Sequence, residues 1–220
     1  AITMEDPELT EYWSDLGQNW YIEQQYIKLY PICRWAQPAV EGALALVRDH
    51  GISVDEIATI KVETFHEAKR LAAIPTTTEQ AQYSLPFSVA AAVVRGTIGV
   101  AEVTSDGLND PQIIGLAKTV EIVEDDAFND AFPARRFART HFHLQDGRIL
   151  SSRDTEAQGD PENKVPDQVI WDKFHGLTMP VLGKIWSEQF LTLAQGIADA
   201  SSVTPLFELM AQTAQTKDLK

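Results

Sequence analysis

The apolar positions of this chain keep a helical period, switch to a period of two, and then return to a helical one. Val40, Ala43, Leu44 and Val47 recur at helical spacing behind Pro38, which suits a first helical turn, and Gly51 supplies a stop. An amphipathic helix is predicted there. Ser53 caps a short turn, and across 57–65 Ile60, Val62 and Thr64 alternate with Lys61 and Glu63, the pattern of a half-buried strand with His66 at its end. Residues 76–83 offer a cap and a first turn. Pro86 then resets the chain before 87–96, a stretch apolar on nearly every side, which predicts a helix buried between layers.

In the second half, Asn109-Asp110-Pro111 opens a short helix to Lys118, and Val120 to Val123 reads as a strand. Ala138, Thr140, Phe142 and Leu144 alternate with Arg139, His141 and His143 before Asp146-Gly147, the signature of a tight hairpin turn spanning 138–154. From Pro166 onward only helical spacing remains, with further helices expected over 180–190 and 205–214. The predicted class is α+β: a connecting arm (1–24), a middle domain (25–155) on a small antiparallel sheet with helices on one face, and a helical tail (156–220).

Composition narrows the function classes. A formal net charge of −14 argues against nucleic acid, since phosphate binding rests on Lys and Arg. No apolar run approaches the roughly 20 residues that span a bilayer, and Ala1-Ile2-Thr3-Met4 does not open a secretory signal. A single cysteine cannot form an internal disulfide, and a cytoplasmic protein is expected. There is no phosphate loop, nucleophile elbow, dinucleotide fingerprint or Cys-x-x-Cys pair. His141 and His143 share a strand face, but a zinc site needs three or four ligands, Cys33 is remote in sequence and Arg139 repels a cation, so no metal is expected.

The densest candidate chemistry lies in Lys28-Leu29-Tyr30-Pro31-Ile32-Cys33-Arg34-Trp35-Ala36-Gln37. Tyr30-Pro31 holds the backbone extended, so polar tips of the next residues can converge. An ordinary loop entering a helix is the competing interpretation. Gln82 and Ser84, carried on the element that leads into the buried helix, can serve a site or simply cap and pack.

These pieces occur in a telling order. Lys28-x-Tyr30-Pro31-x-Cys33-Arg34, Gln82-x-Ser84-Leu85-Pro86-Phe87-Ser88-Val89-Ala90, Gly159-Asp160-Pro161-Glu162-Asn163 and Lys173-Phe174 together resemble the 2-methylcitrate dehydratase (MmgE/PrpD) family. The resemblance implies a lyase, isomerase (epimerase) or decarboxylase acting on a small di- or tricarboxylate, with no metal or nucleotide cofactor. It also implies that the C-terminal helices belong to an all-helical domain, completed by a complementary helical N-terminal half or subunit, with association between copies left open. Lys28 resembles the family lysine that faces the active site, where an ammonium would stabilise enediolate-like charge; Cys33, Arg34, Gln37, Gln82 and Ser84 would line the substrate site. One departure stands out: Gln37 occupies a position where many members carry histidine, and an amide cannot act as acid or base near neutral pH. A non-catalytic assembly or binding role is the alternative.

Overall fold

The computed structural model describes residues 14–217, with side chains through residue 212. The chain divides into two compact units between Asn163 and Lys164. The first holds helices α1 (Gln37–His50), α2 (His66–Lys69), α3 (Thr78–Gln82), α4 (Leu85–Arg95), α5 (Ser105–Leu108), α6 (Pro111–Ala117) and α7 (Asp126–Ala131). Its sheet comprises β1 (Ile57–Thr64), β2 (Val120–Glu124), β3 (Phe137–Leu144), β4 (Ile149–Ser151) and β5 (Thr155–Glu156) in the order β2-β1-β3-β4, with β5 also on β3. The fold is α+β with a small sheet.

The hairpin falls where the alternation placed it, with His143 opposite Ile149 and Gly147 at a φ of 88° in the turn. The sheet is mixed rather than wholly antiparallel. β1 runs antiparallel to β3, Val62 facing Thr140, but parallel to β2, Val62 facing Ile122. A parallel neighbour needs a long crossover, and α2 to α6 provide one. Alternation within a single strand carries no information about the direction of its neighbour.

One sheet face is buried under helices. Ile60, Val62, Ala138 and Phe142 are fully covered, as are Val40 and Ala43 of α1 and Leu85 to Ala92 of α4. Helix α1 comes close to the sheet at Gly42, where a Cβ would lie 2.9 Å from Thr140 Oγ1 and 3.2 Å from Thr155 Oγ1. Those buried hydroxyls are not orphaned. Thr140 donates to the carbonyl of Ala39 at 3.1 Å and Thr155 to that of Pro38 at 2.7 Å, fastening the first turn of α1 to the sheet.

The opposite face is polar and centred on Glu63, with Lys61 Nζ at 2.8 Å, Arg139 Nη1 at 2.9 Å and His141 Nε2 at 3.4 Å from its carboxylate. The hydrogen-bonded Lys61 ammonium, helped by His141 and opposed by burial, pulls the Glu63 carboxyl down to about 2. His141 Nδ1 and Ser151 Oγ share a hydrogen bond of 2.7 Å. His66, expected at the end of β1, starts α2 and places Nδ1 3.3 Å from Glu124.

The second unit comprises α8 (Asp167–Leu182), α9 (Lys184–Gln195) and α10 (Thr204–Lys217). The helix break expected at Pro180 lies later. Pro180 sits in the last turn of α8, and the break is made by Gly183, whose φ of 84° few other residues adopt. Phe174 stacks on Phe190 with ring centres 5.4 Å apart, and Trp186 Nε1 donates to the Leu209 carbonyl at 3.1 Å. Only Ser187 and Leu209 are buried among this unit's described residues, whereas Ile185 is 74 % and Phe207 61 % exposed. No helix among the described residues is long and apolar enough to cross a membrane.

Two outcomes follow from the first unit. Gly42→Val should destabilise it by about 1–3 kcal/mol through overpacking, read as a lowered thermal midpoint; an unchanged midpoint would show that α1 does not rest on Thr140. The depressed Glu63 carboxyl contributes stability that is complete above the ordinary value of 4.5 and is lost as pH falls toward about 2. Glu63→Gln should therefore flatten the acid limb of stability against pH, measured by denaturant unfolding at successive pH values. Parallel acid limbs for both proteins would contradict that role.

Candidate functional site

The loop that precedes α1 is held from three sides. At its start, Ile27 N–H donates to the Gly159 carbonyl at 2.9 Å. Gly159 has a φ of 93°, and a Cβ there would meet the Ile27 carbonyl oxygen at 2.2 Å, so only glycine permits this approach. In the middle, Cys33 N–H donates to the Gln82 carbonyl at 2.6 Å. At its end the Arg34 guanidinium, 5 % exposed, reaches across to the 157–160 segment.

Arg34 is the knot of the arrangement. It donates to the Gln158 carbonyl at 2.6 Å, the Ala157 carbonyl at 3.3 Å and Gln37 Oε1 at 3.0 Å, and it pairs with the Asp160 carboxylate. Its face lies 4.6 Å from the centre of the Tyr26 ring. A planar guanidinium suits this task because its donors diverge in a fixed fork that several acceptors can share. Asp160 is in turn fixed by the turn that closes on Asn163, whose N–H donates to the Asp160 carbonyl at 2.9 Å.

A second link runs beside it. Tyr30 O–H donates to Glu41 of α1 at 3.0 Å, and Gln158 Nε2 donates to the other oxygen of the same carboxylate at 2.9 Å. Burial pushes the Glu41 carboxyl up, against the two hydrogen bonds. Burial, with Glu41 adding to it, also pushes the Tyr30 hydroxyl up, so Tyr30 stays a neutral donor at physiological pH.

The candidate residues are thus distributed over distinct duties. Lys28 is exposed at the entrance of the loop, directly after the Ile27–Gly159 bond. Cys33 is half-buried and joined through its backbone to Gln82, itself half-buried at the end of α3. Arg34 and Gln37 meet and are both buried; Gln37 accepts from Arg34 and donates to the Ile32 carbonyl at 3.4 Å, so its amide is used at both ends. Ser84 is buried, accepting from Phe87 N–H at 3.2 Å and donating to the Ala73 carbonyl at 2.6 Å. That is the capping role open to it from sequence.

Sequence reasoning did not single out Tyr26, Glu41, Gln158 or Asp160 as partners of this loop. Asp160 carried a signal, since Gly159-Asp160-Pro161 stood out as a motif, but nothing in the chain linked it to Arg34 before the fold joined them. A cleft of about 640 Å³ opens beside the clamp, lined by Gln24, Arg34, Arg135, Arg136, Glu156 and Asp160 among others. No group of three or more potential metal ligands is found among the described residues.

Comparison with known proteins agrees with this geometry at the level of the family. No curated protein matches the chain. The model of the MmgE/PrpD C-terminal domain matches residues 30–198, which takes in α1, the whole sheet, the clamped loop from Tyr30 onward and the 157–163 turn. The chain belongs to the MmgE/PrpD family, whose C-terminal domain it carries.

Proposed function

We propose that this chain is part of a dehydratase-like lyase that acts on a small di- or tricarboxylate, such as 2-methylcitrate, by removing a proton beside a carboxylate and expelling a β-hydroxyl as water. The observation that carries this reading is the convergence of two sequence-distant stretches, the end of α3 at Gln82 and the 157–160 segment, on the loop that presents Lys28. Rigid support matters because a cation lowers the barrier only if it is held where negative charge develops, not if it must be ordered during the reaction. In this reading the Lys28 ammonium sits against the substrate carboxylate and stabilises the enediolate-like charge as the neighbouring C–H bond breaks. Cys33 and Gln82 form the adjoining wall, and Arg34 with Gln37 acts one layer behind by fixing the loop.

The base comes from elsewhere. Gln37 is buried and has no acid or base chemistry near neutral pH, so the proton acceptor is assigned to a helical N-terminal half. The sparse burial of the second unit supports such a partner. Exposed apolar side chains on α8 to α10, including Val181, Ile185 and Phe207, form faces of the kind that proteins usually cover. Epimerisation or decarboxylation of a related carboxylate would use the same lysine.

Gln37 itself favours a second reading, a non-catalytic binding role, because the amide is fully engaged in supporting Arg34. Two measurements separate the readings. Lys28→Met keeps much of the apolar stem and removes the charge; in a complex of the chain with its helical half, turnover of a methylcitrate-like substrate should fall about a hundredfold or more, since a fixed charge contributes on the order of 3 kcal/mol. The variant should melt at the same temperature, and undiminished turnover would refute the role of Lys28. In light scattering, the chain without its helical half should self-associate at micromolar concentration and form a defined complex when that half is added; a stable monomer indifferent to it would count against the partner.

A further inference from the structure

We propose that the cleft between residues 134–136 and the 156–163 loop binds a small oxyanion, a carboxylate or a phosphate, with Arg136 as its main ligand. The site is separate from the role given to Lys28 and does not depend on it. Six charged side chains line the cleft, and four of them cancel in pairs: Arg34 with Asp160, and Arg135, which forks onto both oxygens of Glu156. Arg136 and Glu162 are left, and Glu162 is exposed to solvent.

Arg136 is in an unusual position for a guanidinium. It is half-buried, its charged centre lies 6.0 Å from the middle of the Phe132 ring, and its Nε is buried without a hydrogen-bond acceptor. Among the described residues no hydrogen bond or ion pair to its side chain is found. Arg34, lining the same cleft, also has a buried Nε with no acceptor, although its other nitrogens are engaged.

Both Nε atoms are closed off from the cleft, so a ligand there meets Arg136 through its outer guanidinium nitrogens, which no acceptor among the described residues holds and which suit a ligand rich in acceptors. A carboxylate or phosphate group offers acceptor oxygens only, with the spacing that a guanidinium fork grips in parallel. The apolar Phe132 neighbour strengthens the case, because a poorly hydrated guanidinium gives up little water on pairing. In a chain of net charge −14 such an anion would be repelled by most of the surface, so binding requires a local cation that is not already neutralised. Arg136 meets that condition.

The test is a titration of the isotope-labelled chain with inorganic phosphate, and separately with citrate, at constant pH and ionic strength, following the side-chain Nε–Hε resonances of its arginines by NMR. Both Arg136 and Arg34 signals should move saturably at millimolar ligand. Saturation with phosphate alone assigns a phosphate site, and saturation with citrate alone a carboxylate site. Arg136→Gln should weaken binding about tenfold or more, while Glu162→Gln, which removes the opposing charge without touching the clamp, should tighten it several-fold. The proposal is overturned if neither ligand moves these resonances saturably, or if Arg136→Gln binds as well as the unaltered chain.

Discussion

The pairing of buried Arg34 with half-buried Asp160, and the carbonyls that share its donors, is the interaction on which the arrangement of this site depends. A guanidinium that is 5 % exposed has given up nearly all its water. It is tolerated because the replacement is close to complete: a carboxylate, two carbonyls, an amide and an aromatic face surround it. Removing one partner of such a pair leaves an uncompensated buried charge, which typically costs about 3–5 kcal/mol. The geometric consequence is that the entrance of α1 and the 157–160 segment behave as one piece. Gly159 completes that piece by letting the two backbones approach more closely than any side chain would allow.

Much of this was legible along the chain. Helix α1 follows from Pro38, its apolar spacing and Gly51; the hairpin follows from alternation around Asp146-Gly147; and α4 follows from an apolar run behind Pro86. The parallel placement of β2 was not legible, because direction is decided by the path of the crossover and not by the strand's own pattern. The same limit applied to the site. Arg34 was visible as a candidate, yet its partners lie more than a hundred residues away, so its commitment to a structural clamp emerged only with the fold. For Ser84 the sequence left two roles open, and the local hydrogen bonds at the start of α4 decide for the cap.

The two units contrast in how they satisfy the hydrophobic effect. In the first, helices cover the centre of one sheet face and leave an ion-paired face to solvent, which is how a small mixed sheet becomes stable. In the second, three helices share a few aromatic contacts and little buried surface. Helices of this length draw their stability mainly from tertiary packing. The proposed helical partner would thus supply a core to the second unit and a proton acceptor to the first, tying assembly to activity.

The central structural claim is that the Arg34–Asp160 pair locks the Lys28 loop to the 157–163 turn. Amide hydrogen exchange of an Asp160→Asn variant tests it most directly, since the substitution preserves shape and removes only the charge. The account predicts that the Ile27 amide, which bridges the two segments by donating to the Gly159 carbonyl, exchanges about tenfold faster or more, while the amides of β1 and β3 keep their protection. Unchanged exchange at Ile27 would contradict it.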